Sequence, residues 1–165
     1  MQKRLAGLAD SLFACNSSTA WFNLGRLAAS LFFRHAAEKY FETSASLAHI
    51  QGDDESEALV WNSLGSLCND DEDWDRACQF YEKAMSVLDE TKSPSLMCTV
   101  LANLGNTSCR RGDMAKAEQC YSKMLRLLDG DDHSRRADAL HCLGELCQIK
   151  GNYGEAEECY QKSLS

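Results

Sequence analysis

The chain has 165 residues, of which 44% are apolar and 25% charged, an ordinary balance for a globular protein that argues against wholesale disorder. A formal charge of −8 with no basic stripe excludes a duplex nucleic-acid partner, and no apolar run reaches the roughly 18 residues needed to cross a bilayer. One proline and ten glycines leave few breakers, which favours helices over a turn-rich β fold.

In chain order, Met1-Gln2-Lys3-Arg4 followed by Leu5 to Ala14 has the outline of a signal peptide, and Leu12-Phe13-Ala14-Cys15 faintly matches a lipoprotein cleavage box. Asp10 interrupts the apolar stretch and Phe13 is too bulky for such a box. The first 36 residues are poor in acid, a trait shared with mitochondrial presequences. Because Trp21 to Phe41 belongs to the first repeat, we read 1–17 as a leading segment with a helix near 2–14, and the cytoplasm as the default location. Hairpins of two helices follow near 18–49, 55–89, 94–129 and 134–164.

The hairpins rest on a repeat. Four segments align on a Leu-Gly pair: Trp21-x-x-Leu24-Gly25, Trp61-x-x-Leu64-Gly65, Leu101-x-x-Leu104-Gly105 and Leu140-x-x-Leu143-Gly144. The glycines are 40, 40 and 39 residues apart; twelve residues on stand Ala37, Ala77, Ala117 and Ala156, and four further on Phe41, Tyr81, Tyr121 and Tyr160. A helical glycine costs about 1 kcal/mol relative to alanine, so four in register imply close approach of a second helix. The alanine is expected opposite the glycine, with the aromatic filling the gap to the next hairpin.

Turn chemistry separates the helices. Asp70-Asp71-Glu72-Asp73, Arg111-Gly112-Asp113 and Lys150-Gly151-Asn152 combine a helix stop with a helix cap. The first hairpin has Phe32-Phe33-Arg34-His35 there, which predicts an irregular turn. Gln51-Gly52-Asp53-Asp54, Thr91-Lys92-Ser93-Pro94 and Asp129-Gly130-Asp131-Asp132 lie between hairpins, with Ser93 as the expected cap before Pro94. A lone hairpin cannot bury its apolar stripe, so the four should stack as one domain over 1–165, with repeats at 18–57, 58–97, 98–136 and 137–165.

This pattern resembles the tetratricopeptide repeat, whose signature joins Trp-x-x-Leu-Gly to later alanine and aromatic positions. The resemblance covers about residues 18–164. The longer period and Asn23-Leu24-Gly25 and Asn103-Leu104-Gly105 are similar to the repeats of kinesin light chains and Pins-type adaptors. It implies an all-α, right-handed α-solenoid whose first helices line a concave groove for another protein's peptide or helix. Groove-facing positions would be Asn23 and Arg26 in the first repeat, Asn62, Ser66 and Asn69 in the second, Asn103, Asn106 and Arg110 in the third, and His141, Glu145 and Gln148 in the fourth. Carboxamides both donate and accept, so they can hold a ligand's main chain; the plainer expectation is that they solvate the face or fasten neighbouring helices.

Other features read as structural. Asp53, Asp54, Asp89, Asp131 and Asp132 recur at one edge, to steer a basic ligand or to cap helices and solvate loops. Nine cysteines without a Cys-x-x-Cys pair, and His35, His49, His133 and His141 without metal spacing, suit reduced packing thiols, and no cofactor is expected. Trp21, Trp61 and Trp74 are expected in the core. Cys109 beside Arg110 is a redox candidate if its pKa is lowered. The motifs of phosphate, serine or zinc catalysis are missing from the sequence, so an adaptor without enzyme activity is the leading reading. The alternatives are a self-assembly element pairing through uncapped ends, since the chain stops with the fourth hairpin, and a thiol redox protein.

Overall fold

The computed structural model describes Gly7, residues 17–128 and residues 132–164. The leading helix, the cleavage-box residues and Asp129 to Asp131 lie outside the described residues. From Ser18 onward the described chain forms eight helices: α1 (Ser18–Ser30), α2 (Arg34–Gln51), α3 (Asp54–Asp70), α4 (Trp74–Val87), α5 (Pro94–Arg111), α6 (Met114–Leu127), α7 (His133–Ile149) and α8 (Tyr153–Ser163). No strand occurs among the described residues. The chain divides into two compact units, one ending at Leu88 and one beginning at Asp89. The first holds the hairpins α1–α2 and α3–α4, the second α5–α6 and α7–α8.

Helix starts follow the cap residues. The side chains of Ser17, Asp53, Asp73, Asp113 and Asp132 each accept from a backbone N–H three residues on, at 3.0–3.3 Å. These bonds satisfy donors that a helix leaves orphaned. Hydrogen bonds from the Ser56 hydroxyl and backbone hold the Asp53 carboxyl below the usual carboxylate range, and those from the Lys116 backbone and the Arg111 side chain do the same for Asp113. Asp89 accepts from Thr91, so Asp53, Asp89 and Asp132 act locally as caps and loop ties. Ser93 occupies the cap position before Pro94 but makes no capping side-chain bond.

The first hairpin is not irregular. All four intra-hairpin turns close with the same backbone bond across six residues: Phe33 N to Ala28 O at 2.9 Å, Asp73 N to Cys68 O at 3.0 Å, and Asp113 N to Ser108 O and Asn152 N to Cys147 O, both at 2.8 Å. Each needs one left-handed residue, filled by Phe32 (φ 60°), Glu72 (φ 61°), Gly112 (φ 87°) and Gly151 (φ 81°). The missing glycine changes the strain and leaves the turn type intact, and the Phe32 side chain stands 83% exposed.

Packing corrects the expected role of the repeat alanine, while Phe41 and Tyr121 do pack against the next hairpin as expected. A Cβ built on Gly25 would lie 2.6 Å from the Phe41 ring, and on Gly65, Gly105 and Gly144 it would lie 2.5–2.7 Å from Tyr81, Tyr121 and Tyr160. The glycine therefore faces the aromatic of its own hairpin, not the alanine. The alanines are buried nearby. The first unit's core gathers Trp21, Leu24, Phe41, Val60, Leu64 and Leu67; the second buries Met97, Leu101, Leu104, Tyr121 and Leu146. Of the tryptophans only Trp21 is fully core. Trp61 and Trp74 are half-buried, with Trp61 stacked on Phe80 at 5.9 Å and the Lys83 ammonium 4.8 Å from its ring centroid.

Polar staples join the hairpins within each unit. Arg34 donates to the Leu67 carbonyl at 2.9 Å and pairs with Asp71 at 3.0 Å, while Arg76 reaches Glu38 at 3.1 Å. In the second unit Lys150 pairs with Glu118, and Arg135 donates to Ser95 Oγ at 2.7 Å. The buried Glu57 carboxylate accepts from Trp61 Nε1 at 3.1 Å and meets His49 Nδ1 at 3.0 Å.

Two outcomes follow for stability. Gly65→Ala gains helix propensity but drives a methyl into the Tyr81 ring, and should destabilise by about 1–3 kcal/mol in urea melts. Phe32→Gly removes left-handed strain of about 1–2 kcal/mol, part of which glycine returns as chain entropy, so the same melts should show a net gain of about 0.5–1 kcal/mol.

Candidate functional site

Each unit has a cleft between the first helices of its two hairpins, floored by the repeat aromatic of the intervening helix. In the first unit it is about 250 Å3, with Arg26 and Ala29 on α1, Ser63, Ser66 and Asp70 on α3, and Phe41 as floor. In the second it is about 380 Å3, with Asn103 and Asn106 on α5, Asp138 and His141 on α7, and Tyr121 and Met124 of α6 below. Five expected groove residues thus line clefts: Arg26, Ser66, Asn103, Asn106 and His141. Asn23, Arg110, Glu145 and Gln148 are exposed on the same helices outside these linings, and Asn69 is half-buried.

Asn62 departs from expectation. Its side chain is buried at 9% exposure, so it belongs to helix packing and not to an open wall. It stands three residues before Gly65, the repeat position that Ala102 and His141 hold before Gly105 and Gly144, yet those two line the second unit's cleft while Asn62 is packed away.

Several polar groups on these faces are engaged within their own hairpins. The Tyr121 hydroxyl donates to Asn106 Oδ1 at 2.6 Å, and the Tyr160 hydroxyl donates to Gln148 Oε1 at 3.1 Å. Tyr81 approaches Ser66 Oγ at 3.4 Å. The aromatic that fills the space left by glycine thus also ties its own first helix through the hydroxyl, except in the first hairpin, where Phe41 has none. Asn106 consequently shapes the cleft floor as well as lining it. His141 pairs with Glu145 at 3.6 Å and tilts against the Tyr160 ring at 5.4 Å.

The thiols behave as packing groups. Cys68, Cys78, Cys98 and Cys120 are buried, and Cys109, Cys142, Cys147 and Cys159 are half-buried free thiols. Burial pushes Cys109 up from its ordinary pKa, only partly offset by the Tyr121 hydroxyl 3.9 Å away, so the lowered value needed for redox sensing is not found. Cys142 is raised by the same cause. Among the described residues no group of three or more His, Cys, Asp or Glu side chains could hold a metal ion, and no helix is long and apolar enough to cross a membrane.

Ala102, Cys98, Ala139 and Met124, small or flexible residues that line the same cleft, did not emerge from a search for polar groove residues. Their signal is the register itself, in which Ala102 aligns with Phe22. For the thiols, iodoacetamide at pH 7.4 should label Cys109 several-fold more slowly than free cysteine, with the rate climbing as pH rises past the ordinary thiol range. Peptide mapping by mass spectrometry reads this; labelling of Cys109 faster than free cysteine at neutral pH would restore the redox reading.

The chain is similar to several solved structures. BtubC (BKLC) from P. vanneervenii superposes with a TM-score of 0.76 at 18% identity, over 89% of this chain and 61% of that one. MamA gives 0.74 at 18% identity over 97% of this chain and 84% of that one. Pseudomonas aeruginosa pilF gives 0.72 at 19% identity over 99% and 67%. At such identities the likeness shows the fold, and the chain spans only about 61% of the length of BtubC. A comparison with curated proteins finds no match. Tetratricopeptide repeat families match residues 60–94 and 96–165, together well over half of the sequence. With the helical hairpins, the in-register Gly–aromatic contacts and these matches, the chain belongs to the tetratricopeptide repeat family.

Proposed function

We propose that this chain is a protein-interaction module that holds an extended peptide or amphipathic helix of a partner against its first helices, and that it is an adaptor, not a catalyst. The observation that carries this reading is the convergence of Asn103, Asn106 and His141, from two different hairpins, on one cleft of about 380 Å3. Such a cleft joins apolar walls to a few polar groups able to fix a ligand's orientation. Arg26 and Ser66 line the counterpart in the first unit. The outlying Asn23, Asn69, Arg110, Glu145 and Gln148 extend the polar surface along the same helices. The formal charge of −8 would draw a basic segment faster than an acidic one. Asp70 offsets Arg26 in the first unit, Asp138 and Glu145 offset Arg110 in the second, and Arg135 is paired with Asp132, so neither unit gives a set of converging cations for an acidic tail.

An array of random twelve-residue peptides, probed with the full chain and with an Asn103→Ala, His141→Ala variant, tests this. Basic or mixed peptides should be retained by the parent chain, and their affinity should fall at least tenfold in the variant, about 1.4 kcal/mol. Asn106 is left in place because it ties Tyr121. Retention of acidic peptides only, or binding indifferent to the two substitutions, would overturn the reading.

A further inference from the structure

The two units contain the same crevice in two states of filling. In the first unit a crevice of about 60 Å3 is lined by Ser18, Thr19, Phe22, Ser44, Ser56, Leu59 and Val60. The repeat register, 80 residues on in the third hairpin and 79 in the fourth, carries these positions to Cys98, Thr99, Ala102, Met124, Arg135, Asp138 and Ala139. Every one of those counterparts lines the 380 Å3 cleft of the second unit. The first unit's 250 Å3 cleft covers the rest of that register, since its Arg26, Phe41 and Ser63 correspond to Asn106, Tyr121 and Cys142, so what is one continuous cleft in the second unit is two separate spaces in the first, with this wall nearly closed.

The difference has an identifiable cause. Phe22 turns its ring toward Phe41, with centroids 5.7 Å apart and planes tilted by 47°, in the arrangement aromatic pairs prefer. Its counterpart is Ala102, and the counterpart of Val60 is Ala139; both exchanges remove side-chain volume from the cleft. Arg135, in place of Ser56, does not refill it, because its guanidinium is drawn to Ser95 and Asp132. Tyr121 stands where Phe41 stands and presents its ring to the opening. Met124, in place of Ser44, adds a flexible thioether that adapts to and favours an aromatic neighbour.

We infer that the cleft between the third and fourth hairpins is an anchor pocket for one aromatic side chain, of phenylalanine type, supplied by the partner segment and seated where Phe22 sits in the first unit. The occupant is argued from the molecule's own filled copy of the site. The inference rests on the groove reading above and sharpens it: the polar residues at the rim orient the segment, and the aromatic supplies the buried contact.

The test uses the full chain, its Ala102→Phe variant, which should plug the pocket from within, and Ala102→Leu in case the larger ring prevents folding, with thermal melts confirming the fold. Saturation-transfer NMR with N-acetyl-L-phenylalanine amide should give a signal on the parent chain that drops at least tenfold in a plugged variant, while N-acetyl-L-glutamine amide gives little on either. Peptides selected on the parent chain should share an aromatic, and its replacement by alanine should weaken binding tenfold or more. Peptides that lack an aromatic, or that bind the plugged variants unchanged, would overturn the anchor pocket and leave the groove reading standing. If no peptide is selected at all, the groove reading falls, and the pocket stands or falls on the phenylalanine amide signal alone.

Discussion

The contact of a first-helix glycine with the second-helix aromatic of the same hairpin is the constraint on which the rest of this structure depends. It brings two helices closer than any side chain at Gly25, Gly65, Gly105 or Gly144 would permit, and it fixes the rotation of both. Once Phe41 or Tyr121 is held against its glycine, its outer edge is already aimed at the space between successive first helices. The floor of each cleft is thus a by-product of hairpin closure. The hydroxyl then adds a second tie to the first helix, from Tyr121 to Asn106 at the cleft and from Tyr160 to Gln148 in the last hairpin.

Much of the fold was legible because its determinants are local and recur. The Leu-Gly, alanine and aromatic positions located eight helices to within a few residues, and aspartates before helices marked the caps. What was misread shows the limits of spacing. The register says that Gly65, Ala77 and Tyr81 belong together, but a one-dimensional pattern does not say which of the latter two meets the glycine. That depends on the crossing of the helices. The turn at Phe32 was misjudged for a different reason: backbone bonds of fixed geometry, that from Phe33 N to Ala28 O among them, can hold an aromatic in the left-handed region when glycine is absent, and residue preference alone underestimates that.

The candidate site was less legible. Looking for polar residues one step from the Leu-Gly pair found Asn103, Asn106 and His141, yet it also selected Asn62, which the packing buries. It passed over Ala102 and Ala139, because an open space announces itself through residues that are too small and not through chemistry. Only comparison of one repeat with another, Phe22 against Ala102, makes the smallness visible. In a repeat protein each hairpin serves as the reference for its neighbours, and departures from the shared pattern carry the functional information that the pattern does not.

The placement of the indoles has a spectroscopic consequence. Trp21, Trp61 and Trp74 all fall in the unit that ends at Leu88, and the unit beginning at Asp89 holds only tyrosines as ultraviolet chromophores of that class. Intrinsic tryptophan emission therefore watches one half of the chain, with Trp61, packed on the first unit's core beside Phe80 and the Lys83 ammonium, as a reporter of the second hairpin. Far-ultraviolet ellipticity, by contrast, counts helices in both halves. Overlaid transitions from the two signals distinguish a chain that melts as one cooperative body from one whose units melt in turn, without any label being introduced.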